Sequence, residues 1–242
     1  MVPGAFTPGT RSGHWPLHLA LISQPPLHGF SARIPDFMWL STHSGAWYAA
    51  MVEIERPGKR LFTAKEVPTA EFNQARHQLV QWRAWFDAPS NVEIFMSHYG
   101  VSEWYQKNCI MGRHFILVYG RRSEVHGKPA LSKQRGALLA AQNEELMSFD
   151  RLSPDRGLRL AVSVKPVGDG QFEVISVPET FGVSYLNARH LASYIGLDDA
   201  IERNARISPE RARFLKRRIR YWIDWSHSGA GGVRGGPGSF VE

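Results

Sequence analysis

The chain has 242 residues, 43% hydrophobic and 21% charged, with a formal net charge of +7. That is enough apolar chain to bury a core in one large domain or two small ones, and eight Trp within 12% aromatics exclude long disorder and fibrous architectures. The surplus of positive charge fits a polyanionic partner and fits plain solubility equally well. A single cysteine, Cys109, cannot make an internal disulfide or a Cys-based zinc site, so the cytoplasm is the expected compartment. No apolar stretch approaches the ~20 residues of a membrane span, and the opening residues lack the charged and apolar regions of a secretory signal. No membrane partner is expected.

Residues 1–30 are rich in Pro, Gly, His and Ser without a sustained period and read as an irregular lead-in. Residues 31–227 read as one domain. It opens with a hairpin, Ile34 to Leu40 and Trp47 to Glu55, around the turn-forming cluster Ser41 to Gly45. A basic loop from Arg56 to Pro68 leads into a helix from Thr69 to Phe86, whose apolar residues Phe72, Ala75, Leu79, Trp82 and Phe86 recur at helical spacing. A short apolar run at Val92 to Met96 follows, then a strand at Phe115 to Tyr119 and a helix from Lys133 to Met147. Leu158 to Val164 and Phe172 to Val177 flank Gly168-Asp169-Gly170 as a second hairpin. A helix from Pro209 to Trp225 buries Ala212, Leu215, Ile219 and Trp222, and residues 228–242 form a flexible Gly-rich tail. Strands mixed with helices predict a single α/β domain with a mixed central β-sheet flanked by helices.

The chemistry concentrates in the first hairpin. Strand alternation puts Glu53 and Glu55 on one face, with Val52 and Ile54 on the other. If the turn centres near Gly45, partners sum to about 89, which sets Asp36 opposite Glu53. Two such carboxylates ~4 Å apart repel by about 4 kcal/mol at an effective dielectric of 20. A proton, a Lys or Arg, or a cation must compensate. Oxygen ligands favour a hard ion, Mg²⁺ or Mn²⁺, which can activate water and stabilise a leaving oxygen in phosphodiester cleavage. The bland reading is a solvated strand end whose acids pair with Arg56, Arg60 or Lys65.

Pro35-Asp36 and Glu53-Ile54-Glu55 on consecutive strands resemble the core motif of the PD-(D/E)XK nucleases. The longer run Val52 to Pro57, Leu61-Phe62-Thr63 and Gln78 to Trp85 resembles one branch of it, the Shedu-type anti-phage nucleases of bacteria with their SduA catalytic domain. Ile116 to Arg122 and Ser148 to Leu152 are similar to later segments of that family, so the resemblance covers residues 33–152. It implies a restriction-endonuclease-like core and metal-dependent cleavage of DNA in phage defence, within a homo-oligomer. Carried across by position, it makes Asp36 and Glu53 metal ligands, and Gln78 resembles the glutamine of a Q-x-x-x-Y helix motif. Glu55 falls where the superfamily has Lys. Either Lys59 or Lys65 takes over the charge of that Lys, or Glu55 is a third metal ligand. Relatives also carry an upstream helix with a further Glu, whereas residues 1–32 contain no acidic residue. The competing readings are a catalytically inactive pseudonuclease serving as a DNA-binding or regulatory module, and an interaction domain whose acids merely pair with Arg56 and Arg60.

Basic residues crowd between Arg203 and Arg220, with Arg213, Arg217 and Arg220 on the outer side of the last helix. They either track a phosphate backbone or form a solvated face. Arg121-Arg122 meets a phosphate or stabilises a turn. Trp82 and Trp85 read as core. The ten His show no ligand spacing.

Overall fold

The computed structural model describes residues 15–29, 34–43, 45–139, 143–153, 160–184 and 187–228. Nine strands among them form one mixed sheet. They are β1 (Trp15–Pro16), β2 (Ala20–Ser23), β3 (Phe37–His43), β4 (Ala46–Ile54), β5 (Ile110–Val118), β6 (Glu144–Met147), β7 (Val162–Gly168), β8 (Gln171–Ser176) and β9 (Tyr194–Ile195). Their order is β6-β5-β4-β3-β2-β7-β8-β9, with β1 pairing on β3 beside that path. The helices are α1 (Ala70–Phe86), α2 (Pro89–His98), α3 (Glu103–Asn108), α4 (Pro129–Ala137), α5 (Ala188–Leu191), α6 (Leu197–Arg203) and α7 (Pro209–His227). A mixed sheet flanked by helices is thus the architecture.

Alternation within the strands builds two cores. Met38, Leu40, Ala49, Met51, Phe115 and Leu117 face the helices in the main core, together with Phe72, Leu79, Trp82, Leu215 and Trp222. The intervening residues Trp39, Ala50, Val52, Ile116 and Val118 point the other way, into smaller clusters covered by Phe149 and Leu152. Helix α1 starts where its sequence says it should: the Thr69 hydroxyl accepts the Phe72 N–H at 3.1 Å, an N-cap worth about 1 kcal/mol. Trp82 and Trp85 are both buried, and the Trp85 indole N–H donates to the His28 carbonyl at 3.1 Å. Ser208 caps α7 in the same way, with Pro209 as its first helical residue.

Several expectations need correction. The lead-in is not irregular throughout: β2 lies inside the sheet, antiparallel to β3 and parallel to β7. It shows no alternation because Ala20, Leu21 and Ile22 are all buried, and a strand covered on both faces has no polar side to reveal it. The helix expected over Lys133 to Met147 stops at Ala137, and Glu144–Met147 is instead strand β6, parallel to β5. Gly136 weakens the helix there, and pairing of Leu146 and Met147 with Leu117 and Val118 outweighs the helix propensity of the glutamates. The apolar run Val92 to Met96 belongs to α2, with Pro89 in its first turn. Both hairpins form, with β7 and β8 antiparallel, while β5 begins five residues before the expected Phe115. The strand start at Leu158 and the glycine-rich tail beyond Ser228 lie outside the described residues.

Candidate functional site

Strands β3 and β4 pair in the register inferred from sequence: Phe37 lies opposite Val52 and Met38 opposite Met51. Continued by one residue, that ladder sets Asp36 opposite Glu53. Here Asp36 leaves the ladder and turns its side chain onto the neighbouring backbone, where its Oδ2 accepts the Ile54 N–H at 2.8 Å. Glu53 and Glu55 continue the series Ala49, Met51 and therefore share the face covered by α1. Both are half-buried. The Asp36 carboxyl is held above the usual carboxylate range, first by burial and also by the negative charge of Glu55, with the Ile54 N–H opposing both. Negative charge is therefore concentrated in a partly desolvated strand end.

The compensating cation comes from the next loop. Lys59 Nζ donates to Glu55 Oε2 at 2.6 Å. That hydrogen bond is the main reason the Lys59 ammonium titrates above its normal range, with the Glu55, Glu71 and Tyr119 charges adding to it. The loop is fixed by a residue that sequence reasoning missed. Glu124, in a short 3-10 turn after β5, accepts the backbone N–H of Leu61 at 2.9 Å and of Phe62 at 2.7 Å. The Thr69 hydroxyl donates to the Arg60 carbonyl at 2.9 Å from the far side. No short-range motif marks Glu124, because its partners lie 62 and 63 residues earlier in the chain.

Of the other expected site residues, Gln78 is buried on the sheet-facing side of α1, among Ala75, Leu79 and Trp82. Lys65 sits on the exposed part of the loop, where only its backbone N–H is held, by the Thr63 hydroxyl; its ammonium has no ion pair among the described residues. The two candidate lysines are thus separated by structure: Lys59 joins the acids and Lys65 does not. Among the described residues no group of three or more His, Cys, Asp or Glu side chains is arranged to hold a metal ion. A cage built from protein alone is therefore not present there. Mg²⁺, however, is usually bound through one or two carboxylates with waters and substrate phosphates. By donor chemistry, the carboxylates of Asp36 and Glu53 are of the type such a site uses.

Arg121 and Arg122 have structural partners. Arg122 donates its backbone N–H to Asp150 at 2.6 Å, and Arg121 pairs with the same carboxylate at 3.3 Å while lying over the Phe149 ring. This is the turn-stabilising reading of that pair. A cavity of about 970 Å³ opens at the other end of β3, against Thr42, His18 and His190, and contains none of the predicted acids. Its imidazoles are both lowered to a pKa of about 4: His18 by burial and then by His190, and His190 by burial and then by Arg189. They are neutral at pH 7. No helix among the described residues is long and apolar enough to cross a membrane.

A family model described as "Shedu protein SduA, C-terminal" matches residues 14–153, more than half of the chain. The chain belongs to the Shedu family. Membership points to a role in anti-phage defence, and the family is associated with defence nuclease activity. The Shedu match takes in the acidic hairpin, the loop carrying Lys59, α1, β5 and the Glu124 turn, and leaves β7 to β9 and α5 to α7 outside it. No match is found among curated proteins or among solved structures.

Proposed function

We propose that this Shedu protein is a Mg²⁺- or Mn²⁺-dependent DNA endonuclease of the PD-(D/E)XK type, with a restriction-endonuclease-like core, acting on phage DNA in the cytoplasm as a homo-oligomer. The observation that carries the reading is the hairpin end itself: Asp36, just past the end of the β3–β4 ladder and held on the Ile54 N–H, beside Glu53 and Glu55 on a partly buried strand end, with Lys59 drawn in to Glu55. Asp36 and Glu53 are the residues that would hold the metal. When bound, it supplies an activated water and stabilises the leaving oxygen.

The chain's own groups do the positioning. Glu55 stands where the motif has Lys, and it fixes Lys59 at the site instead of binding metal itself. Lys59 then presents an ammonium towards the charge that develops on the phosphate, which is the role of preorganised electrostatic stabilisation. Gln78, presented from α1, orients a metal-site ligand or a substrate phosphate. The Asp36 bond to the Ile54 N–H holds one carboxylate oxygen and leaves the other for the metal.

One observation favours the inactive alternative. Lys59 and Glu55 form a neutral pair, so Lys59 adds no net positive charge where the motif Lys would. Plasmid nicking in Mg²⁺, Mn²⁺ and EDTA, with Asp36→Ala and Glu53→Ala alongside, separates the two readings. Metal-dependent nicking that either substitution abolishes supports the enzyme. DNA binding without cleavage selects the pseudonuclease, and the absence of both leaves the interaction domain.

A further inference from the structure

Eight basic residues lie between Arg203 and Arg220, and the fold uses five of them. Arg203 donates to the Val174 carbonyl at 3.4 Å, Arg206 pairs with Glu179 at 3.4 Å, and Arg211 donates to the Phe181 carbonyl at 3.2 Å. Lys216 pairs with Glu202. Arg218 is buried, over the rings of Tyr221 and Trp222. The other three, Arg213, Arg217 and Arg220, are exposed, and their side chains make no hydrogen bond or ion pair among the described residues. They fall at i, i+4 and i+7 on one face of α7, opposite Leu215, Ile219 and Trp222.

Helix stability does not explain this stripe. Like charges four residues apart weaken a helix, and none of the three lies in the last turn, where the helix dipole favours cations. Together with Lys216 and a single acid, Glu210, they line a shallow concavity of about 450 Å³. At 1.5 Å of rise per residue the stripe runs for about 10 Å, a length of duplex axis over which one strand presents about three phosphates. Guanidinium groups also match phosphate oxygens in a two-pronged way that ammonium groups do not.

We propose that Arg213, Arg217 and Arg220 form a docking ridge for the phosphate backbone of duplex DNA, outside the part of the chain that the family model covers. The partner, DNA, is taken from the nuclease reading above, but the ridge is separate from the acids that reading depends on. Its contacts go to phosphates only, so it holds duplexes of any sequence.

The test is binding of a labelled 20-base-pair duplex by fluorescence anisotropy, in EDTA, across 50 to 200 mM KCl. Each neutralised phosphate contributes about 0.9 to the slope of log affinity against log salt. The triple variant Arg213→Gln, Arg217→Gln, Arg220→Gln is expected to lower that slope by about 2.7, so the affinity change across this salt range is about 40-fold smaller than for the wild type. A control triple, Lys128→Gln, Lys133→Gln, Lys165→Gln, removes the same charge from exposed sites off α7 and is expected to leave the slope close to that of the wild type. Equal slopes for the ridge variant and the wild type would overturn the proposal, as would an equal loss in the control, or no duplex binding by the wild type. Circular dichroism of each variant checks the fold. Nicking by the wild type in Mg²⁺ is scored separately. Ridge-dependent binding without nicking sinks only the nuclease reading, and nicking with an unmoved salt slope sinks only the ridge.

Discussion

Glu124→Ala cuts the tie between the loop that carries Lys59 and the body of the sheet. Its carboxylate accepts two backbone N–H groups, from Leu61 and Phe62, whose residues are each only 2% exposed. Alanine leaves both donors buried without an acceptor, at about 1–3 kcal/mol each, or roughly 2–6 kcal/mol together. For a chain of this size 1 kcal/mol moves the melting temperature by about 2–4 °C, so a fall of roughly 4–24 °C is expected by calorimetry. Glu124→Gln keeps one acceptor oxygen and is expected to lose about half as much. Hydrogen exchange gives the local check, because the Leu61 and Phe62 amides are expected to lose protection well before those of β4 and β5. If Glu124→Ala melts within 1 °C of the wild type, the carboxylate is not what fixes the loop, and the placement of Lys59 needs another cause.

Lys59→Met is expected to lower the metal-dependent nicking rate by about 10²–10³-fold, the usual effect of removing one preorganised transition-state contact. Lys65→Met is expected to leave it within a factor of two, and equal losses in single-turnover assays would dissolve the distinction between the two lysines. Asp36→Asn tests the raised titration of that carboxyl. A group raised in the fold loses its stabilising contribution as pH climbs through the folded value, so the metal-free asparagine variant is expected to melt higher than the wild type at pH 8. That gap is expected to close near pH 4, while nicking is abolished throughout; an asparagine variant that melts lower at pH 8 refutes the sign. His18 and His190 run the other way. Lowered from 6.5 to about 4 in the fold, they confer stability that is complete above pH 6.5 and is lost as pH falls towards 4. By pH 5 the loss is about 2 kcal/mol per imidazole, read as a drop in urea midpoint between pH 7.5 and pH 5. A midpoint flat across that window would falsify the assignment of neutral, buried imidazoles.

Local chemistry in the sequence was enough for the hairpin, α1 and α7. The register of β3 on β4 follows from two apolar runs and the turn between them, because a one-residue slip would send Trp39 and Val52 to the wrong face. Helix α1 follows from its apolar period and from Thr69, which both caps it and separates it from the loop. The placement of Asp36, Glu53 and Glu55 at the open end of that hairpin was therefore legible, as was the outward face of Arg213, Arg217 and Arg220. Decisions made between distant segments were not legible. β2 became an inner strand only through β3 and β7, and a doubly buried strand leaves no alternating pattern. β6 looked like helix because its residues favour helix, and only pairing with β5 overrode that preference. The choice of Lys59 over Lys65 depended on Glu124, whose hold on the loop closes across more than sixty residues. Periodicity and turn chemistry act within a few residues, so the sequence alone determined the first hairpin, α1 and α7, and with them the chain positions of the acids. Which cation answers those acids, and which strands fill the sheet, were settled by contacts that exist only once the chain has folded.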